Sequence, residues 1–275
     1  MTDIQIILLS LLQGITEFLP VSSSGHLILF SKFTEFADQG LAMDVALHIG
    51  SIIAVMIYFA PTLRDIIKGV CKCKFIPNFK NEGCRFFYLL LIATLPIIFA
   101  GAALKYYGTD WLRSTKLIGW NILCYGLLLW LIDSWALTAR KINSLEIKDA
   151  LLIGIAQCLA LLPGTSRSGI TITMSRFLGM ERREAAKFSM LLSIPAILAA
   201  GILTGYQLWQ SGNIAQIITS CNAIGYSFIF SISAIYILMQ WLKKWSFLPF
   251  AIYRMALGVI LLLEAYGIYD IRNLF

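Results

Sequence analysis

Read for apolar and polar positions, the chain is a series of long apolar stretches separated by short polar ones. Uncharged windows run Phe86–Leu104, Leu117–Ile132, Phe188–Trp209 and Asn222–Leu242. Each is close to the roughly 20 residues that a helix needs to cross hydrocarbon. Two more windows, Leu41–Ala60 and Pro249–Tyr269, admit polar residues: Asp44 and His48 in the first, Arg254 and Glu264 in the second. The pattern predicts six spanning helices. The segments Ile4–Lys32 and Ala150–Phe177 behave differently. Each is an apolar run of about a dozen residues, too short to span, which breaks at Pro and Gly and resumes as a second short apolar piece. That reads as a re-entrant helical hairpin, a shape allowed at membrane depth only where protein or a wet cavity surrounds the irregular backbone.

Composition agrees. Of 275 residues, 59% are hydrophobic and 13% charged, about half the charged share of a soluble domain. The expected class is therefore an all-α integral membrane protein. The net charge of +7 would suggest nucleic acid in a soluble chain, but here the basic residues gather in loops between spans, as cytoplasmic loops do. Pro61–Arg85, Ser134–Lys148, Arg176–Lys187 and Lys243–Lys244 are expected inside on this basis. Gln210–Cys221 has no charge and Thr34–Gly40 has only Glu35 and Asp38, so both are expected outside. Lys105–Lys116 must also lie outside, against the charge rule. No secretory leader is expected, because Asp3 stands where such a peptide is basic. Cys71, Cys73 and Cys84 share a basic loop expected to stay reduced, and no fourth metal-ligating residue is nearby to complete a site.

These side assignments form a consistent path only if each hairpin enters and leaves on the same face. The hairpins also resemble each other: "LLQGITEFLPVSSSG" (11–25) aligns with "LLIGIAQCLALLPGTSRSG" (151–169) with a four-residue insertion. The expectation is one membrane domain of two inverted halves, 1–135 and 145–275, with the functional site where the two broken hairpins meet.

The polar residues of the hairpins are unusual in so oily a chain. Gln13 and Glu17 are four apart and share a helix face. Pro20 ends that helix, and Ser22, Ser23, Ser24 and then His26 follow. The second hairpin breaks at Pro163 and offers Gly164, Thr165, Ser166, Arg167 and Ser168. Hydroxyls, bared N–H groups and helix starts bind anions, and the Arg167 fork suits phosphate oxygens. The set points to phosphoryl transfer. Arg167 would hold developing charge. His26 would move a proton, Ser23 would be a nucleophile activated by His26, and Glu17 would orient His26, act as base toward water or hold a divalent cation, Mg or Ca. Plainer roles exist for each residue alone: a hydroxyl bonded to its own helix, a structural Glu17–Arg167 pair, a packing role for His26. Ser23, His26 and water all remain open as the attacking group.

"QGITEFLPVSSSGH" and "PGTSRSG" resemble the two signature regions of the undecaprenyl-pyrophosphate phosphatases, the bacitracin-resistance family of bacterial inner membranes. The resemblance covers essentially the whole chain. It implies hydrolysis of undecaprenyl pyrophosphate to the monophosphate and inorganic phosphate, which returns the carrier to peptidoglycan synthesis and confers bacitracin resistance. It places the acidic motif on Gln13 and Glu17, the serine–histidine region on Ser22, Ser23, Ser24 and His26, and the second signature on Gly164, Thr165, Ser166, Arg167 and Ser168. Arg254, in "AIYRMALG", matches a family arginine and is expected at the phosphate, although from its position alone it could equally snorkel to the membrane surface. With Gln at 13 only one carboxylate is available, which weighs against a metal held by two acids. Asp44 and His48 are expected either as support behind the site or as surface residues. The partners implied are a polyprenyl pyrophosphate lipid and membrane lipid, with no nucleic acid, and a homo-oligomer is left open. The competing class is a secondary transporter or flippase for a lipid phosphate, since broken helices in inverted repeats are transporter architecture.

Overall fold

A computed structural model describes residues 2–34, 39–107, 112, 114–211 and 213–269. Among the described residues the chain is helical, without a strand. In order, the helices are α1 (Asp3–Thr16), α2 (Ser23–Phe33), α3 (Gly40–Tyr58), α4 (Ala60–Lys72), α5 (Glu82–Tyr107), α6 (Thr115–Trp135), α7 (Ile147–Gln157), α8 (Arg167–Phe177), α9 (Arg182–Ser211), α10 (Ile214–Trp241) and α11 (Leu248–Ala265). Five of these (α3, α5, α6, α10 and α11) are long and apolar enough to cross a membrane. They take up five of the six expected spans. The sixth, Phe188–Trp209, falls within α9, whose first turns carry Arg182, Arg183, Glu184 and Lys187.

The two short broken segments are helix pairs. The 14 residues of α1 rise about 21 Å at 1.5 Å each, well short of a hydrocarbon core. The pair α7 and α8 has 11 residues in each arm. A 3-10 turn, Cys158–Leu161, follows α7 directly and leads into the stretch where the second segment carries its four extra residues.

Each hairpin leans on a long helix through a glycine. A Cβ on Gly14 of α1 would lie 2.6 Å from Phe230 Cβ of α10. A Cβ on Gly154 of α7, the aligned residue, would lie 2.6 Å from the Ala93 carbonyl of α5. Backbones approach this closely only where one side chain is missing, a common device where lipid removes the hydrophobic drive for helix pairing. Pairing of α3 with α10 and of α6 with α11 completes the body around the hairpins. Between α3 and α10, Ser51, Ser227 and Ser231 form a buried hydroxyl chain ending on the Leu47 carbonyl.

Several loop expectations need correction. The first half of Pro61–Arg85 is the helix α4. Gln210–Cys221 is not a loop, because α9 runs to Ser211 and α10 starts at Ile214. Arg176, taken as a loop cation, is fully buried. It donates to Asp133 Oδ1 at 2.8 Å and to the Ala136 carbonyl, while Arg182 and the Phe247 amide also donate to Asp133. Asp133 is thus a buried knot joining α6, α8, α9 and the start of α11. The cysteines Cys71, Cys73, Cys84, Cys124, Cys158 and Cys221 are free thiols. Glu35, Asp38 and Arg113, used to assign sides, lie outside the described residues, as does the side chain of Lys105.

Candidate active site

The loops that join the arms of the hairpins meet, and their backbones are built alike. Ser22 (φ 78°) and Ser166 (φ 72°) both adopt the left-handed region that L-residues rarely enter. Each caps the helix after it: Ser22 Oγ accepts from the Gly25 amide at 3.3 Å, and Ser166 Oγ accepts from the Gly169 amide at 3.0 Å. The kink costs about 1–3 kcal/mol per residue and persists only where its surroundings hold it. It turns the starts of α2 and α8 toward the junction. The first amides of those helices (Ser23, Ser24, Arg167 and Ser168) have no hydrogen-bond acceptor among the described residues. Two helix N-termini with bare N–H groups give the junction its positive end.

The buried carbonyls of the loops need partners too, since an unpaired buried polar group is costly. Arg254 supplies most of them. Its fully buried guanidinium donates to the carbonyls of Pro20, Gly164, Thr165, Asn121 and Ile122 at 2.9–3.4 Å. Asn121 adds a bond to the Pro163 carbonyl at 2.8 Å, and Ser168 Oγ one to the Leu19 carbonyl at 3.1 Å. Gly164 is required twice over: its φ is +90°, and a Cβ there would meet the Ile118 carbonyl at 2.7 Å. Arg254 was expected among the phosphate ligands. Its donors are instead committed to backbone from both hairpins, so it ties the two loops together.

Glu17 is the centre of the polar cluster and is buried. Its Oε1 accepts from Arg167 Nη2 at 2.5 Å across the junction. Its Oε2 accepts from Ser23 Oγ at 2.7 Å and from Gln13 Nε2 at 3.0 Å. His48 of α3 completes the ring, its Nε2 3.4 Å from the same Oε2. The Nδ1 of His48 lies 2.7 Å from the Asp44 carbonyl. A carbonyl only accepts, so that nitrogen carries a proton. The other side of Arg167 rests on the Ser189 carbonyl of α9 at 3.4 Å.

His26 stands apart from Ser23. Its Nδ1 donates to the Ser22 carbonyl at 2.7 Å, and its Nε2 is 2.6 Å from the Tyr253 hydroxyl, with the two rings stacked. The Ser23–His26 couple expected from their spacing is not formed, because Ser23 donates to Glu17 instead. Ser24 is exposed and its hydroxyl has no hydrogen-bond partner among the described residues, while Ser166 and Ser168 share a bond of 3.2 Å. Buried oxygens without a hydrogen-bond partner among the described residues include Gln13 Oε1 in the first hairpin and Gln157 Oε1 and Thr165 Oγ1 in the second. Among the described residues no three His, Cys, Asp or Glu side chains group to hold a metal.

Comparisons with known proteins give the chain its family. Residues 6–260 match the family model described as Bacitracin resistance protein BacA. The chain belongs to the BacA family. It is 43% identical to the undecaprenyl-diphosphatase of Ruegeria pomeroyi over 97% of its length and 100% of that protein. With the proteins of the same description from Hahella chejuensis and Alteromonas mediterranea the identities are 42% and 39%, over 97% and 95% of this chain and 99% and 98% of theirs. The BacA resemblance read from the two motifs is therefore correct. Sequence reasoning undervalued His48 and missed Tyr253, Asn121 and Ser189. For His48 a signal existed: an ionisable group inside an apolar span is functional by default. Tyr253 and Ser189 gave none, since Tyr and Ser are common in such helices.

Proposed function

We propose that this chain cleaves the anhydride of undecaprenyl pyrophosphate in the bacterial inner membrane, with Ser23 as the attacking group and Glu17 as its base. The observation that carries this reading is the 2.7 Å bond from Ser23 Oγ to Glu17 Oε2, made while Arg167 holds the other carboxylate oxygen. A hydroxyl bonded to a buried carboxylate is set to lose its proton as it attacks. His26, with both nitrogens engaged, is a poorer attacker.

The terminal phosphate of the substrate is taken by the bare amides of α2 and α8, the Ser24 hydroxyl and Arg167. Ser23 Oγ bonds to the terminal phosphorus, its proton passes to Glu17 Oε2, and the anhydride P–O bond breaks. The polyprenyl monophosphate leaves as an anion and needs no acid. Water then attacks the phosphoserine. Glu17 returns its proton to Ser23 Oγ as that P–O bond breaks, and both hydrogens of the water depart on inorganic phosphate. Positive charge from Arg167 and the helix starts stabilises the charge on the transferring group, the largest contribution in such reactions. The orphaned Gln13 Oε1 is a hard oxygen donor open to a divalent cation arriving with the diphosphate, which would neutralise phosphate charge, whereas both Glu17 oxygens are already engaged. His26 and Tyr253 line the exposed side, where the product phosphate or water would enter or leave.

The two halves, 1–135 and 145–275, are read as an inverted repeat. The matched glycines Gly14 and Gly154 and the matched kinks at Ser22 and Ser166 support that reading. The test is phosphate release from a polyprenyl pyrophosphate by purified protein in detergent, where transport has no meaning. Ser23→Ala should fall by a factor of order 10² or more in kcat with its melting temperature unchanged. In acid-quenched wild type, the peptide carrying Ser23 should bear a phosphate. Near-normal turnover by Ser23→Ala would make water the attacker. No release by wild type, with or without divalent cations, would remove the phosphatase reading itself.

A further inference from the structure

A second site lies away from the junction. Between α4, α5 and α9 there is a cavity of about 450 Å³ whose walls are entirely apolar apart from Cys71. Leu63, Ile67 and Cys71 belong to its α4 wall, Phe87 and Leu91 stand on α5, and Ile194 on α9. Pro195 also lines it. Proline has no N–H for the Leu191 carbonyl and bends a helix, which helps open the groove on that side.

The α4 wall is bordered by charge. Three of its five lining residues are followed by a cation, Leu63 by Arg64, Ile67 by Lys68 and Cys71 by Lys72, while Ile66 and Val70 lie deeper and are buried. The three cations are exposed and recur every fourth residue, forming a stripe beside the apolar one. Like charges at that spacing repel along a helix. None of the three has a carboxylate partner within ion-pair distance among the described residues. Lys68 and Lys72 also border a polar cleft with Lys80, Asp65 and Glu82, in which cations still outnumber acids. At the end of α4, Lys74 and Phe75 take left-handed conformations, and Phe75 extends the apolar wall.

We propose that this groove is a binding site for one anionic phospholipid, an acyl chain lying along Leu63, Ile67 and Leu91 and the phosphate on the Arg64–Lys68–Lys72 stripe. Charge complementarity decides the occupant. A neutral lipid fills the groove but leaves the stripe unpaired, whereas an anionic headgroup satisfies both. Basic residues beside a membrane each favour anionic lipid appreciably, and here three are held on one rigid helix. The site is connected to the reaction centre. Leu191 and Ile194 of α9 line the groove, while Ser189 of the same helix accepts from Arg167 and shares a 2.7 Å hydroxyl bond with Thr171. A bound chain therefore braces the helix that supports the catalytic guanidinium.

The test uses the full chain in detergent, with dioleoyl phosphatidylglycerol and dioleoyl phosphatidylcholine as probes. Native mass spectrometry should show one retained phosphatidylglycerol, favoured over phosphatidylcholine on the order of tenfold. The triple variant Arg64→Ala, Lys68→Ala, Lys72→Ala should lose that preference. Ile67→Trp, which fills the groove from an exposed position, should reduce retention of both lipids. A readout on the unaltered protein removes dependence on folding of the variants. Phosphatidylglycerol should slow maleimide capture of Cys71 severalfold and leave Cys124, also exposed but on α6, unchanged. Equal retention of the two lipids, a preference that survives the triple variant, or equal protection of Cys71 and Cys124 would each overturn the proposal. Displacement of phosphatidylglycerol by undecaprenyl phosphate at equal concentration would also overturn it, by assigning the groove to the substrate tail.

Discussion

The hairpin of α1 and α2 and the hairpin of α7 and α8 meet the same demand with the same backbone. Both break near mid-length at a proline, both turn on a serine of positive φ, and both cap the returning helix on a glycine amide three residues later. Side chains at matching positions differ. Glu17 is answered by Gln157, Ser23 by Arg167, His26 by Ile170 and Gln13 by Ile153. Where Glu17 reaches across the junction, Gln157 is buried and donates to the Ala93 carbonyl of α5 at 3.2 Å. The first hairpin holds the acid, the hydroxyl and the imidazole; the second holds the guanidinium. Turning a broken helix back on itself is a requirement common to both arms, and the backbone meets it in the same way. The proposed reaction needs opposite charges at one point, and the side chains are divided between the two arms accordingly.

The largest effect should come from erasing the difference at its centre. Glu17→Gln gives the first hairpin the side chain the second already has, at nearly unchanged volume. Ser23 then loses its base and Arg167 its counter-charge. Turnover in the detergent phosphate-release assay should fall by a factor of order 10³. The reverse exchange, Gln157→Glu, should not build a second centre. It buries a carboxylate against a carbonyl, which costs several kcal/mol and should show as a lower melting temperature with Ser23 chemistry intact. Substantial turnover by Glu17→Gln would mean that the acid of the first hairpin is only structural.

Next comes the guanidinium. Arg167→Lys keeps the charge but loses the second donor arm, so it can pair with Glu17 or hold phosphate and not both. A loss of order 10² in kcat/KM is expected. Full activity with Lys would reduce Arg167 to a point charge.

Much of this division was readable before any coordinates. The two short apolar runs with Pro and Gly in them gave the hairpins. Their likeness gave the pairing, and the clustering of Glu17, Ser23 and Arg167 followed from the expectation that such loops converge. The membrane-crossing lengths of α3, α5, α6, α10 and α11 followed from apolar runs alone. Other features lay beyond sequence because they depend on direction rather than identity. Ser23 and His26 sit three residues apart on one helix, so their coupling was plausible, yet Glu17 captures Ser23 from the arm before it. Arg176 reads as a cation of an inside loop, and Arg254 as a phosphate ligand or a residue snorkelling to the membrane surface. Each is buried because irregular backbone, or an internal aspartate, requires donors that only a long forked side chain can deliver. His48 is distant from both motifs in sequence, and only the packing of α3 against the first hairpin brings it to Glu17.

Arg254 shows what binds the two hairpins into one unit. Replacing it by Leu leaves carbonyls of both loops without donors, each at about 1–3 kcal/mol. The melting temperature in detergent should fall by roughly 10 °C. Arg254→Lys, with fewer donors and no fork, should recover only part of this. In the protein that remains folded, KM should stay within about twofold of wild type, because the guanidinium spends its donors on backbone. A large rise in KM with an unchanged melting temperature would instead return Arg254 to the phosphate.

The smallest effect concerns what lies behind Glu17, where the hairpins again differ: Gln157 has backbone for support, Glu17 has His48. His48→Leu removes the Nε2 contact and leaves Oε2 to Ser23 and Gln13 alone. Glu17 should then sample other rotamers, lowering kcat about tenfold while KM changes less than twofold, as expected when a group acts through another rather than on substrate. His48→Gln sets an amide N–H near the position of the imidazole Nε2 and should recover most of the loss, within about threefold of wild type. Loss of helix packing alone would be rescued by Leu, the better apolar fit in α3, and not by Gln. The order Gln above Leu therefore identifies a hydrogen bond to the carboxylate as what His48 supplies, and the opposite order would leave Glu17 positioned by its own hairpin, as Gln157 is by α5.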